Sequence, residues 1–261
     1  MLRFSANLSM LYTELPFVDR FAAAAADGFE AVEYIGAYDM APERVAGLLR
    51  ENGLTQALFN FPVGNWDAGD RGLACLPDRR AEFRESVETA IAYARATGCA
   101  QVNCLAGIAP EGVEREWLEA VLAENLRFAA ERLAAAGIRL LLEPINPFDM
   151  PGYLVNSTDD FERVAALVGH DNLLLQYDFY HMQRVQGRLL ETFERLQDRI
   201  AHVQVADVPG RHEPGSGKIG YDSIFMMLER LGYAGWVGAE YRPAGGTSDG
   251  LGWFAPFKRQ Q

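Results

Sequence analysis

The sequence predicts a single (β/α)8 barrel spanning residues 1–261, and three observations carry the prediction. The chain is 261 residues long, the size of one closed barrel and long for a sandwich. Short apolar runs alternate with amphipathic stretches from one end to the other, which calls for a parallel sheet covered on both faces. Eight such units can be counted if the stretch 247–257 closes the ring, and no GxGxxG follows the first strand to suggest an open dinucleotide-binding sheet.

Taken in order, residues 4–8 read as the first strand and the alanine-rich 14–26 as a helix closed by Asp27-Gly28. A second strand over 29–34 leads to a helix over 42–51, with Pro42 in its first turn and Asn52-Gly53 past its end. The third strand, 54–61, carries Asn60 near its tip. After it, 62–72 is too long and too glycine-rich for a simple connector and reads as a loop folded over a site, with Trp66 capping a pocket or packing the loop. A long helix over 79–97, capped by Gly98, precedes strand four at 99–105. Another over 114–136, stopped by Gly137, delivers the chain to the apolar run 139–142. The second half continues with a helix at 158–168, strand six at 172–178 and a helix at 189–198. Strand seven at 200–207, a helix at 221–231 and strand eight at 235–240 complete the series.

Composition narrows the function classes. Hydrophobic residues make up 49% and charged residues 23%, an ordinary globular balance. A net charge of −12 argues against nucleic acid or an anionic membrane as partner, and any anionic substrate then needs a local cationic pocket. The N-terminus has no signal-like apolar core and no run reaches the length of a membrane span, so a cytoplasmic protein is expected, and a homo-oligomer is compatible with the sequence. Cys75, Cys99 and Cys104 contain no CxxC pair and read as reduced structural thiols. Gly215-Ser216-Gly217-Lys218 is only a fragment of a phosphate loop.

The chemistry is concentrated where strands stop. Leu140-Leu141-Leu142 ends in Glu143 and then Pro144, which has no N–H to extend a ladder. The run 173–178 ends in Asp178, strand seven carries Gln204 at its far end, and 235–240 ends in Glu240. In a parallel barrel these tips open on one face, so residues distant in sequence meet there. Three carboxylates and a carboxamide in an apolar mouth repel one another unless they hold protons, a basic side chain or a cation. An all-oxygen set suits a hard divalent ion, Mg2+ first and Mn2+ second, better than zinc. The competing reading pairs these acids with strand-end arginines such as Arg139 or Arg242 as salt bridges on the barrel rim.

Several of these phrases carry a resemblance. Leu142-Glu143-Pro144-Ile145-Asn146, Tyr177-Asp178-Phe179-Tyr180-His181-Met182-Gln183, His202-Val203-Gln204-Val205-Ala206-Asp207 and Gly238-Ala239-Glu240-Tyr241 are similar to the metal-site strands of xylose-isomerase-like barrels. Together with residues 3–10 and 64–72 they resemble, over nearly the whole chain, the hydroxypyruvate isomerases. Related ketose epimerases have histidine where this chain has Gln204; the glutamine fits the hydroxypyruvate isomerase branch and favours a weaker Mg2+ site. The resemblance implies interconversion of hydroxypyruvate and 2-hydroxy-3-oxopropanoate through a metal-stabilised enediolate. In that scheme Glu143 and Glu240 form the acid–base pair, also contacting the metal, while Asp178 and Gln204 complete its shell. His181 polarises a substrate oxygen or hydrogen-bonds a ligand from behind, and the substrate carboxylate falls to Arg71, Arg211 or Lys218. Three rivals stand beside it: an isomerase or epimerase of the same superfamily acting on a 2-oxo-tetronate or a free ketose, a non-catalytic sugar-acid-binding barrel, and an abasic-site endonuclease. The last wants several zinc-binding histidines and a basic face, and four histidines with a net charge of −12 supply neither.

Overall fold

Eight parallel strands ring a common axis in the computed structural model, which describes residues 1–258. They are β1 (Arg3–Asn7), β2 (Ala31–Tyr34), β3 (Thr55–Phe59), β4 (Gln101–Cys104), β5 (Arg139–Leu142), β6 (Leu173–Asp178), β7 (Ile200–Val205) and β8 (Trp236–Ala239). Neighbours run β3-β2-β1-β8-β7-β6-β5-β4. Where the two ends meet, Asn60 bridges Asn103, and the Phe61 N–H donates to the Asn103 carbonyl at 2.9 Å. The predicted barrel is therefore present and nearly closed, with its thinnest backbone pairing at the β3–β4 seam.

Burial on both faces explains the apolar character of the strands. Leu140, Leu141 and Leu142 are fully buried, each contributing about 2 kcal/mol by area. The helices α1 (Phe17–Ala26), α2 (Pro42–Glu51), α3 (Arg80–Thr97), α4 (Arg115–Ala135), α5 (Thr158–Val168), α6 (Phe179–Val185), α7 (Leu189–Leu196) and α8 (Tyr221–Arg230) follow the strands. Helix α1 begins later than its alanine content suggests, because Pro16 is held extended at its start (ψ 143°). The stretch expected to close the ring is a 3-10 segment, Ser248–Phe257. It stacks Phe254 on Phe29 at 4.4 Å.

Helix α6 is an addition to the predicted elements, and it carries His181. Its aromatic sequence has weak helix propensity, but the Asp178 carboxylate caps it by accepting from the Tyr180 N–H at 2.7 Å. The three cysteines are buried and unpaired, as expected of structural thiols. No helix among the described residues is long and apolar enough to cross a membrane.

Candidate active site

Where the strands end, a cavity of about 690 Å³ is lined by Glu143, Glu240, His181, Arg211, Arg71 and Trp66, among others. A second cavity, about 460 Å³, opens at the opposite end among Arg3, Gln101, Arg139 and Trp236 and holds none of the strand-end acids. Asp178 lies just behind the first cavity and is 1% exposed. Its Oδ1 is used by the helix cap, while its Oδ2 accepts no hydrogen bond. His181, one turn into α6, places Nε2 3.5 Å from that oxygen and 3.8 Å from Glu143 Oε1. Glu143 Oε2 accepts from Asn103 Nδ2 at 3.4 Å. One ligand atom each from Glu143, Asp178 and His181 lies within 4.8 Å of the others.

The cation beside these acids is Arg211, and neither Arg139 nor Arg242 pairs with them among the described residues. Its Nη2 lies 2.8 Å from Glu240 Oε1 and 3.6 Å from Asp178 Oδ2. Asp207 positions it: this carboxylate accepts from the backbone N–H groups of Val208, Gly215, Gly217 and Ile219 and so folds the loop after β7. Within that loop Arg211 has φ 58°, a left-handed conformation that a non-glycine residue adopts at some cost. Arg71 stacks over the Trp66 ring at 3.7 Å on the long loop 62–72. Gly72, at φ 108°, lets that loop press on the Leu105 carbonyl where a Cβ would collide.

Gln204 is engaged one layer deeper. Its Nε2 donates to Glu33 Oε1 at 2.8 Å and its Oε1 accepts from Gln176 Nε2 at 2.7 Å. Glu33 also meets Ser5 Oγ at 2.7 Å, Asn7 Nδ2 at 3.3 Å and His202 Nε2 at 2.9 Å. Gly238 faces this carboxylate so closely that any side chain there would strike it.

Electrostatics separates the two layers. Burial works against the charge on Glu33, but His202 and the hydrogen bonds from Gln204 and Ser5 outweigh it and leave the carboxyl below its usual range. At the mouth, burial pushes Glu143 well above the carboxylate range, with Glu240 and Asp178 adding to the effect. Burial likewise raises Glu240 to about 8 despite Arg211, and Asp178 to about 6. His181 is driven well below the usual histidine value by burial and by Arg211 and Arg184, so its ring is neutral. Crowded acids with an unmet buried carboxylate oxygen are a donor set that a hard divalent cation would satisfy.

The structure brings Glu143, Asp178, Glu240, His181, Arg211 and Arg71 together, while Gln204 lies behind them, its amide spent on Glu33 and Gln176. Lys218 stands apart: it is exposed, and its backbone is tied to the Val208 carbonyl at 3.1 Å. Sequence reasoning missed Glu33 and the partners Asn103 and Asn146. The available signal was that an acid inside a strand buried on both faces needs buried donors.

Comparison with known proteins agrees with the barrel fold. The profile of the xylose isomerase-like TIM barrel family matches residues 21–257. A 2-oxo-tetronate isomerase from Cupriavidus necator is 49% identical over 98% of this chain and 98% of its own. A hydroxypyruvate isomerase from Escherichia coli is 48% identical over 99% of this chain and 100% of its own. A crystal structure described as an AP endonuclease, family 2, from Brucella melitensis superposes with a TM-score of 0.97 at 43% identity, covering 99% of this chain and 100% of that one. This chain belongs to the xylose isomerase-like TIM barrel family.

Proposed function

We propose that this protein is a hydroxypyruvate isomerase, working as one barrel unit in the cytoplasm. The observation that carries the reading is a pair of glutamates from the ends of distant strands, Glu143 and Glu240, lining one cavity beside an Asp178 oxygen that accepts no hydrogen bond. Hydroxypyruvate has its carbonyl on the middle carbon and a hydroxyl on the terminal one. One glutamate, as carboxylate, takes a proton from the terminal carbon, and the C–H electron pair becomes the double bond of an enediolate. The other returns a proton to the middle carbon while the hydroxyl proton passes between the two oxygens, leaving 2-hydroxy-3-oxopropanoate with atoms and electrons balanced. Burial raises the carboxyls of both Glu143 and Glu240, which favours a proton held on the pair at neutral pH, as the donor's part requires.

Glu143 and Asp178 are the residues that would hold a divalent ion, Mg2+ in preference to Mn2+, with Glu240 and Gln204 joining them if they release Arg211 and Gln176. Such an ion supplies positive charge that stabilises the enediolate. We assign the substrate carboxylate to Arg71 and Arg211 rather than Lys218, and a hydrogen bond to a substrate oxygen to His181.

The test is incubation with hydroxypyruvate in deuterated water, with and without chelator. Deuterium at carbon and formation of the aldehyde, lost on chelation and restored by Mg2+, support the reading. Binding without exchange would leave a sugar-acid-binding barrel. A second reading, isomerisation of a four-carbon 2-oxo-tetronate, is favoured by the 49% identity to the 2-oxo-tetronate isomerase of Cupriavidus necator. A ratio of kcat/KM values above one for the four-carbon acid would select it. Cleavage of an abasic duplex would support the nuclease reading, against which the net charge of −12 stands.

A further inference from the structure

We propose that Asn146 is a positioning residue that fixes His181 in its Nε2–H tautomer, so that the ring meets the cavity as a hydrogen-bond donor and not as a metal ligand. The use of that donor on substrate rests on the isomerase reading above; the tautomer does not. Asn146 follows β5 by four residues and is fully buried. Its Oδ1 accepts from the backbone N–H groups of Phe148 at 3.1 Å and Asp149 at 2.9 Å, so the amide cannot be turned round. Its Nδ2 therefore points at His181 Nδ1, 2.6 Å away. The Asn146 backbone N–H also reaches Nδ1 at 3.4 Å, and a backbone N–H can only donate. Two donors on Nδ1 leave the proton of a neutral ring on Nε2.

The surroundings of Nε2 agree, since the carboxyl oxygens Asp178 Oδ2 and Glu143 Oε1 lie on its side of the ring at 3.5 and 3.8 Å, close enough to favour an N–H there though neither makes a hydrogen bond to it. One contact points the other way, Arg211 Nη2 at 3.4 Å, but that group is already placed by Glu240 at 2.8 Å. A histidine that binds a metal through one nitrogen donates its other N–H to a neighbour. Here the other nitrogen receives, so the ring that completes the Glu143–Asp178–His181 cluster by distance is unsuited to complete it by chemistry.

The experiment uses the full chain, Mg2+-loaded and labelled with 15N-histidine at alkaline pH. Long-range nitrogen–proton correlations read the tautomer, and the signal is identified by its loss in His181→Gln. A protonated Nε2 with bare Nδ1 is expected; a protonated Nδ1 overturns the proposal. In Asn146→Asp a carboxylate replaces the donor, so Nδ1 gains a proton, and kcat falls about 10- to 100-fold with KM little changed. Nδ1 still bare in that variant, or an unchanged kcat despite the moved proton, overturns the positioning role. Absence of isomerase activity in the unsubstituted protein with the expected spectrum would sink the isomerase reading and leave the tautomer standing.

Discussion

Two groups of buried acid lie one layer apart in this barrel, and their neighbours treat them oppositely. Glu33 is met by Ser5, Asn7, His202 and Gln204, and stays ionised in the middle of the protein. Glu143, Asp178 and Glu240 share one arginine, leave a carboxylate oxygen without a donor and are pushed toward their protonated forms. Burial alone thus says little about what an acid does. The supply of donors distinguishes a carboxylate that braces the fold from one held ready for a cation or a proton transfer.

Removing charge from each layer in turn should separate the two groups of acids most clearly. Glu143→Gln should lower kcat about 10³-fold while leaving the urea midpoint unchanged or higher, since a crowded acid is lost; steady-state rates and denaturation curves check both halves. Glu240→Gln should follow the same pattern. Glu33→Gln should instead lose about 3 kcal/mol of stability, because His202 and three further donors are left facing a neutral amide, and chemical denaturation reads it directly.

The two groups of acids also respond differently to pH. Asp178 at about 6 and Glu240 at about 8 lie above their unfolded-state values near 4, so the folded, chelated protein binds more protons than the unfolded chain. That stabilisation is complete below the unfolded values and is lost as pH rises through the folded ones. The unfolding temperature of the chelated protein should therefore fall from about pH 4 to pH 8, less steeply in Glu240→Gln, where Glu143 still carries part of the fall. The smallest effect is expected at Lys218→Ala: an exposed side chain outside the cavity should change kcat/KM by less than about twofold.

The barrel and its strand-end acids were legible because apolar runs that stop at a carboxylate have few structural explanations. Glu33 was not, because one acid within the four residues of β2 mimics the alternation of a half-exposed strand. Only the closed parallel sheet, with both faces covered, makes it conspicuous. The partnership of Arg211 with Glu240 depends on a loop conformation set by Asp207, which no local pattern reveals. Helix α6 was hidden for a related reason, since its capping carboxylate had already been counted as a strand tip. Asn146 belonged to a recognisable phrase, but its hold on His181 required the chain to fold back from α6.

The guanidinium of Arg211 gives the mouth of the barrel a positive charge of its own. Its closeness to Glu240 and Asp178 offsets part of the repulsion among the buried acids from within the chain, so the crowded mouth is compatible with a folded barrel before anything enters it.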